Sequence, residues 1–346
     1  MITNGMKRGF DIDIIDIKSQ ECPENPSERS AYSNSRSKPE KTMAMVFRKM
    51  EKEGDFPSFS NQIIEINKVL NLKYASAKDI ANVLMKDFAL CNKLIKLVNS
   101  SFYGVFGRGG VSSVEEAMII LGADQVQQAA ASLMLFEHMQ RSSRNEELKQ
   151  IALKTLMSGL IAKELAMAKK ISNSDEFLIC AMFHRLGENL MAYYFPEQRE
   201  TIIQFAKRNK MSYENAFRLF LGFSSQELGV GIAAKWGLPE NIRLSMQTKK
   251  PEKPSQAAVK LSRVQQLGTV ALLSNVICDI RFQITDPPKR DKILGSLIQL
   301  YRGRYDTVLD TINILLTRVI NNIKNNSSYL DINTDECRVL FDEPSS

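Results

Sequence analysis

The stretch from Glu176 to Leu190, EFLICAMFHRLGENL, most constrains what this chain can fold into. Its apolar residues recur on helical spacing and cover most of the circumference of a helix, which is typical of a helix buried on nearly all sides. The same stretch contains His184, one of only two histidines in 346 residues. Next to Arg185, this histidine has two interpretations: a core imidazole beside an arginine that extends to the surface, or part of a polar site. We predict that this helix is central to the fold.

Helical signals continue along most of the chain and strand signals are almost absent, so we predict an all-α protein. One amphipathic helix is predicted from Thr42 onward, and the serine and glutamate of Ser112 and Glu115 predict the cap of another. Single helices are predicted over 146–170 and 176–195. Further helices are predicted from Ala257 to about Asn325, with breaks at 286–288 and 302–304.

This pattern divides the chain into four predicted parts. They are a flexible N-terminal segment at 1–41, a multi-helix bundle at 42–250, a helical extension at 251–325 and a polar tail at 326–346. The extension needs to bury its apolar positions, either against the bundle or in a dimer.

Composition excludes several classes of protein. The net charge is +7, but the basic residues are dispersed and form no stripe with interleaved aromatic residues, which disfavours nucleic-acid binding. The five cysteines are an odd, widely spaced set without a CxxC pair, so we predict neither a disulfide framework nor a zinc site. There is no long apolar run and no apolar leader at the N-terminus, so we expect a cytoplasmic protein that does not cross a membrane.

Several short motifs occur in an order that is similar to one known family. AMFHRLG at 181–187 resembles the signature of the HD metal phosphohydrolases, and especially of the HD-related output domain, HDOD. DFAL at 87–90, VNSSFYG at 98–104, AMIILG at 117–122, GFSSQELG at 222–229 and WGLP at 236–239 fit the same family. The resemblance covers roughly 56–251 and implies an HD-like helical fold and a role in bacterial signalling. Its motif positions are Asn99, Ser100, Tyr103, Gly104, Gly187, Gly229, Trp236 and Pro239.

The resemblance also implies where an HD enzyme would hold its metal. The first histidine aligns with Met157, the His-Asp pair with His184 and Arg185, and a downstream histidine with Ser225. A later pair of histidines falls near Lys249. Because one ligand remains and the key carboxylate is replaced by a cation, we expect no metal, no cofactor and no catalytic residue.

Two functions follow from the resemblance. The first is a non-catalytic regulatory module that acts through protein contacts, with an unidentified signalling partner and a possible homodimer. The second is a sensor in which His184, Arg185, Ser225 and Lys249 hold the phosphate of a nucleotide or cyclic dinucleotide. An active phosphohydrolase is the remaining alternative. The first two differ in whether Arg185 opens onto a pocket or is paired with an internal carboxylate such as Glu188 or Glu227.

Overall fold

A computed structural model describes residues 39–52, 113–122, 126, 129–130, 146–236 and 238–325 of the chain. These residues form twelve α-helices and no strand, which confirms the predicted all-α class. The motif positions Asn99, Ser100, Tyr103 and Gly104, the histidine at 138, most of the N-terminal segment and the tail lie outside the described residues. The helices are α1 Pro39–Lys52, α2 Val114–Leu121, α3 Glu146–Ala168, α4 Ser174–Phe183, α5 Leu186–Tyr194, α6 Pro196–Arg208, α7 Tyr213–Leu221, α8 Ser225–Lys235, α9 Glu240–Ser245, α10 Arg263–Gln283, α11 Pro287–Tyr301 and α12 Leu309–Asn325.

The longest described helix, α3, lies at the centre and packs against α4, α10 and α12. Most of its residues are buried, so it lacks the polar face of a surface helix. Gly159 allows α4 to approach closely, because a Cβ atom there would lie 2.7 Å from Cγ of Met182. Helix α4 is buried over eight of its ten residues, so the stretch identified from the sequence is indeed part of the core.

The predicted single helix over 176–195 is wrong, because the chain breaks at His184 and Arg185. His184 ends α4 with its N–H donating to the carbonyl of Ala181 at 3.3 Å. Arg185 leaves helical geometry, with φ −106° and ψ 26°, and α5 begins at the next residue. Arg185 therefore lies between the two helices, and it lines the site described below.

Polar caps define several other helix starts. Ser224 accepts a hydrogen bond from the N–H of Glu227, whose carboxylate accepts from the N–H of Ser224, which is a capping box. Ser262 and Gln265 form a second capping box at the start of α10, whereas Ser212 caps α7 only by accepting a hydrogen bond from the N–H of Asn215. Helix α2 is capped by Ser113, one residue after the predicted Ser112. Each cap satisfies an N–H group that the first helical turn leaves without a partner.

The C-terminal helices pack on the same core as α3 and α4. Nδ2 of Asn275 in α10 donates to the carbonyl of Ala181 at 3.0 Å. The hydroxyl of Tyr305, which precedes α12, donates to the carbonyl of Leu165 at 2.6 Å. The helix predicted from Ala257 is wrong at its start, because residues 257–262 are not helical and α10 begins at Arg263. The predicted break at 302–304 is confirmed, whereas the one predicted at 286–288 lies at 284–286, since α11 begins at Pro287.

Arg263 connects the start of α10 to the turn between α3 and α4. Its Nη2 atom lies 2.7 Å from a carboxylate oxygen of Glu176 and also donates to the carbonyls of Ser172 and Asn173. Its guanidinium lies over the ring of Phe177, 4.6 Å from the centroid. Asn275 and Arg263 thus attach α10 to both ends of α4.

Helix α1 begins at Pro39, three residues before the predicted Thr42. It precedes the motif-bearing part of the sequence and packs on the bundle. Nζ of Lys49 donates to the carbonyl of Tyr194 at 3.1 Å. Phe47 and Met43 lie beside Gly231 of α8. Across the described part of the chain, none of the helices combines the length and the apolar character needed to span a membrane.

Candidate functional site

A small polar cavity lies where α3, the α4–α5 break, α6 and α10 meet. Its volume is about 30 Å³, enough for about two water molecules or one small inorganic ion. The lining residues are mostly polar or charged, which is unusual for an interior contact between helices. They are Ile151, Lys154, Thr155, Ser158, Met182, Arg185, Glu188, Asn189, Arg199, Asn275 and Asp279.

Arg185 is held in this cavity by a carboxylate from α10. Its Nη2 atom lies 2.5 Å from Oδ2 of Asp279, and Nζ of Lys154 lies 3.7 Å from the other oxygen of the same carboxylate. The side chains are partly shielded from water, with 29% of Arg185 and 15% of Asp279 exposed. One carboxylate therefore serves two cations in a setting where charge pairs are weakly screened.

The partner of Arg185 corrects one of the sequence expectations, since Asp279 takes the place expected of Glu188 or Glu227. Glu227 lies away from the cavity lining, where it completes the cap at Ser224 and pairs with Arg218 at 3.1 Å. Burial by itself would lower the pKa of Arg185, but the carboxylates of Asp279 and Glu188 outweigh that effect and raise it. Arg185 is therefore a permanent cation.

Glu188 is the second carboxyl group in the lining. Burial raises its pKa, Arg185 opposes that shift, and the negative charges of Glu214 and Asp279 add to it. Within the described residues, its carboxyl group has no hydrogen-bond partner among the side chains that surround it. Glu188 thus differs from Asp279, whose charge is balanced at contact distance.

His184, the residue that drew attention to this stretch, lies beside the cavity but is not part of its lining. It is 9% exposed, and its Nδ1 atom has no hydrogen-bond partner in the described part of the chain. Burial, with a smaller contribution from the neighbouring Arg185 charge, lowers the pKa of His184 to about 3. The imidazole is therefore neutral at physiological pH.

The other two predicted ligand residues do not join Arg185 in the lining. Ser225 donates from both its N–H and its hydroxyl to the carboxylate of Glu214, the N–H bond measuring 3.1 Å. Lys249 is exposed to solvent after α9. Of the four residues predicted to form one phosphate site, Arg185 alone lines the cavity.

The motif glycines have a packing role at the crossing of α5 and α8. A Cβ atom at Gly187 would lie 1.9 Å from the carbonyl oxygen of Ser225 and 2.9 Å from the backbone nitrogen of Gly229. A Cβ atom at Gly229 would in turn lie 2.9 Å from the backbone nitrogen of Gly187. The two glycines therefore bring the backbones into contact. Trp236 is fully buried at the end of α8, and Pro239 precedes α9.

Asp279 and Asn275 were missed from the sequence, although a signal for them was present. They lie four residues apart in the apolar segment ALLSNVICDI, so they fall on one face of α10. Asn275 is 5% exposed and Asp279 lines the cavity. Polar residues at this spacing in a buried helix indicate an internal polar contact. Lys154 and Ser158 of α3 show the same spacing.

The residues present do not fit a metal centre of the HD type. Met157, aligned with the first ligand, is a fully buried apolar side chain, and the second position of the His-Asp pair is Arg185. Among the described residues, no group of three or more His, Cys, Asp or Glu side chains is placed to hold a metal ion. A divalent cation next to Arg185 would meet a like charge in a poorly screened setting.

The fold and site define an HD-like helical domain with an arginine–carboxylate pair in its polar cavity. The family profile described as HDOD domain matches residues 56–251, which is more than half of the chain. The chain belongs to the HDOD family.

Comparison with solved structures supports the same fold. An HDOD domain protein of unknown function from Geobacter sulfurreducens superposes with a TM-score of 0.56 at 18% identity, covering 85% of this chain and 99% of that one. A candidate phosphohydrolase from Shewanella amazonensis gives 0.55 at 17%, covering 83% and 96%. A candidate signal transduction protein from Marinobacter aquaeolei gives 0.50 at 17%, covering 88% and 65%. At these identities the likeness establishes the fold alone.

A curated relative from Treponema pallidum is an uncharacterized protein that is 25% identical over 193 residues. The match covers 54% of this chain and 36% of the relative. The chain thus spans only about a third of the length of the curated relative it matches.

Proposed function

We propose that this HDOD protein is a non-catalytic regulatory module of a bacterial signalling system that acts through contacts with a protein partner. The observation that carries the proposal is the contact between Arg185 and Asp279 at 2.5 Å. It places a fixed positive charge where the family resemblance implies a metal-bridging aspartate. The Asp279 carboxylate, which would otherwise be available to a metal, is occupied by that charge.

The surrounding residues support the absence of metal chemistry. A hydrolytic metal site needs several neutral nitrogen or carboxylate ligands around an open coordination position. Here the aligned positions provide a buried methionine at Met157, a guanidinium at Arg185 and a serine hydroxyl at Ser225 that is already bonded to Glu214. His184 remains as a single histidine, and one ligand does not retain a divalent ion.

The relatives support the regulatory class. The Marinobacter protein, a candidate for signal transduction, shares the fold over 88% of this chain. The Shewanella protein is a candidate phosphohydrolase of the same fold, so fold alone does not decide between the two activities. The difference is made by the residues at the site.

The nucleotide-sensor alternative is less favoured. Pockets that take nucleotide-sized molecules have volumes of about 300–1,000 Å³, whereas this cavity measures about 30 Å³. Lys249 and Ser225, which were expected to help hold a phosphate, are not part of its lining. We also propose a cytoplasmic setting, supported by the free, buried thiols of Cys180 and Cys278.

The first test concerns chemistry and uses the purified full chain. Native mass spectrometry of the protein from its own cells measures its metal content. Calorimetric titration with Mn²⁺, Fe²⁺ and Mg²⁺ then measures metal binding, and a chromogenic phosphodiester substrate measures hydrolysis. We expect neither a stoichiometric metal nor turnover. Metal binding that is lost in Asp279→Asn, together with hydrolysis, would overturn the proposal.

The second test concerns the partner. The full chain is fused to a proximity-labelling enzyme in its own cells, and the recovered proteins are compared with those recovered by the labelling enzyme alone. We expect one signalling protein to be enriched and to bind the purified chain with defined stoichiometry. The same native mass spectra report whether the chain is a monomer or a homodimer. Failure of every enriched protein to bind the purified chain would argue against a role through protein contacts.

A further inference from the structure

We propose that one end of the molecule, where α3 ends and α10 begins, is a contact surface for an acidic region of a protein partner. Three segments form this surface, which we call the basic end: residues 167–173 after and at the end of α3, residues 252–262 before α10, and residues 302–308 between α11 and α12. The inference rests on the proposed function and deepens it, because it names where the partner binds and the charge of the surface that binds there.

Backbone contacts hold the segment before α10 against the turn between α11 and α12. The N–H of Ser255 donates to the carbonyl of Arg302 at 3.0 Å. In the other direction, Nη1 of Arg304 donates to the carbonyl of Lys253 at 2.9 Å. Residues that are about 50 positions apart in the sequence are therefore neighbours on this surface.

The end of α3 joins the same surface. The hydroxyl of Tyr305 donates to the carbonyl of Leu165 at 2.6 Å, and Nζ of Lys169 lies 5.6 Å from the centroid of the Tyr305 ring. On the adjacent side, Nη2 of Arg263 donates to the carbonyl of Ser172 at 3.1 Å. The three segments thus lie side by side, although they are distant in the sequence.

The basic end has a clear excess of positive charge. Its three segments contain six cationic side chains and two carboxylates, so four positive charges are in excess. The cations are Lys169, Lys170, Lys253, Lys260, Arg302 and Arg304, and the carboxylates are those of Glu252 and Asp306. Including Asp310, in the first turn of α12, reduces the excess only to three. The chain folds so that part of its dispersed basic charge is concentrated here.

These cations are available to a partner. In the described part of the chain, none of the six lies within ion-pair distance of a carboxylate, and all except the half-buried Arg304 are exposed. The cations just inside this end differ, since Lys163 pairs with Asp175 at 2.6 Å and Arg263 with Glu176 at 2.7 Å. The dipole of α3 favours the two lysines that follow it. It does not account for the four cations of the other two segments.

The uncharged side chains of the basic end favour a protein over a nucleic acid. Each segment exposes one large apolar side chain among its cations, Met167, Val259 or Val308. Protein interfaces combine such apolar contacts with complementary charge. Single-stranded nucleic acids are held by exposed aromatic rings on which bases stack, whereas Tyr305, the one aromatic residue of the three segments, is buried.

The same charge argues against a second copy of this chain as the occupant. A twofold dimer places the same surface patch of both subunits in contact. At the basic end, such a dimer would bring two sets of unpaired cations together, and like charges across an interface are repulsive. A homodimer would therefore use another face, and the basic end would remain open to a partner rich in Asp and Glu.

Two triple variants of the full chain with equal charge test the location. The basic-end variant carries Lys253→Gln, Lys260→Gln and Arg302→Gln, and the control variant carries Lys207→Gln, Arg208→Gln and Lys210→Gln. The control positions are exposed at the end of α6, a helix that packs on α5 and α7. Each variant removes three exposed positive charges, and far-UV circular dichroism checks that both retain the fold.

The probe is a fluorescein-labelled polyglutamate peptide of about 20 residues, and anisotropy measures its binding at about 0.1 M salt, where charges beyond about 10 Å are screened. We expect saturable binding to the wild type that is about tenfold weaker for the basic-end variant and nearly unchanged for the control. No binding to the wild type, or equal binding by all three proteins, would overturn the inference. Weaker binding of a DNA duplex by the basic-end variant, with unchanged polyglutamate binding, would assign the surface to nucleic acid and overturn it as well.

Proximity labelling in the protein's own cells, with the same three proteins, separates this inference from the proposed function. We expect the partner enriched by the wild type to be enriched by the control variant and lost with the basic-end variant. A partner that both variants retain, or lose equally, would refute the basic end as its contact surface while leaving the regulatory role intact. Absence of any protein enriched by the wild type would instead count against the proposed function, and this inference would fall with it.

Discussion

Replacing both members of the Arg185–Asp279 pair, singly and together, measures how strongly α10 is attached to the α4–α5 break. Arg185→Met leaves the Asp279 carboxylate 15% exposed with Lys154 as its remaining partner at 3.7 Å. Loss of one partner of a buried pair costs about 3–5 kcal/mol, and we expect about 3 kcal/mol here because Lys154 remains. The coupling energy of the cycle with Asp279→Asn should be about 2 kcal/mol.

The assay is urea unfolding followed by far-UV circular dichroism, with the slope m checked for each variant. The chain offers a matched control in Arg218 and Glu227, an arginine–carboxylate pair at 3.1 Å whose side chains are 54% and 52% exposed. The control cycle, Arg218→Met with Glu227→Gln, should give a coupling energy below about 0.5 kcal/mol. Equal coupling in the two cycles would refute the view that Arg185 is held by a weakly screened internal contact.

Three further changes test the fold around the site. Gly187→Ala should lower the free energy of unfolding by about 3 kcal/mol because its Cβ would collide with the backbone of α8. The control, Gly295→Ala in α11, has open space around it and should raise the free energy of unfolding by about 0.5–1 kcal/mol. Equal effects of the two changes in urea unfolding would contradict the close crossing. The pKa of His184 is lowered from 6.5 to about 3 in the folded chain, so the unfolded chain binds a proton more readily and stability falls as pH drops below 6.5. The wild type should lose about 2 kcal/mol of unfolding free energy by about pH 5 relative to His184→Gln. Parallel curves of unfolding free energy against pH for the two proteins would show that the imidazole is not buried in its neutral form. Tyr305→Phe removes one buried hydrogen bond to α3 and should cost about 1 kcal/mol in the same assay, an expectation that an unchanged midpoint would rule out.

The sequence predicted the fold class and most helix ends well, because those depend on local signals. Ser224 and Ser212 cap α8 and α7 with their side-chain oxygens, and prolines start α6 and α11. The break at His184 and Arg185 could not be read in this way. The stretch contains no proline or polar cap, and its apolar pattern continues through both helices. The break lies next to the close crossing of α5 and α8 at Gly187, a tertiary contact that the local pattern does not specify.

The composition of the site was harder to predict than the fold. Arg185 was identified from its place in the motif, but its partner Asp279 comes from 94 residues later in the chain, beyond the region covered by the family profile. Ser225 and Lys249 were grouped with Arg185 by position in the motif, whereas the structure leaves them out of the cavity. Pairing across such a separation depends on how α10 packs on α3 and α4. Helical periodicity does not specify that contact.

The exchange at position 185 changes more than one side chain. With a carboxylate there, the cavity would contain three carboxyl groups facing Lys154 and Arg199, and it would attract cations. With Arg185 there, Asp279 becomes a counter-ion, and the lining has three cationic groups for two carboxyl groups. Burial raises the pKa of Glu188, and the charge of Arg185 opposes that shift. A single exchange therefore places a positive charge at the motif position where the resemblance implies a metal ligand, while the packing at Gly187 and Gly229 does not depend on that charge.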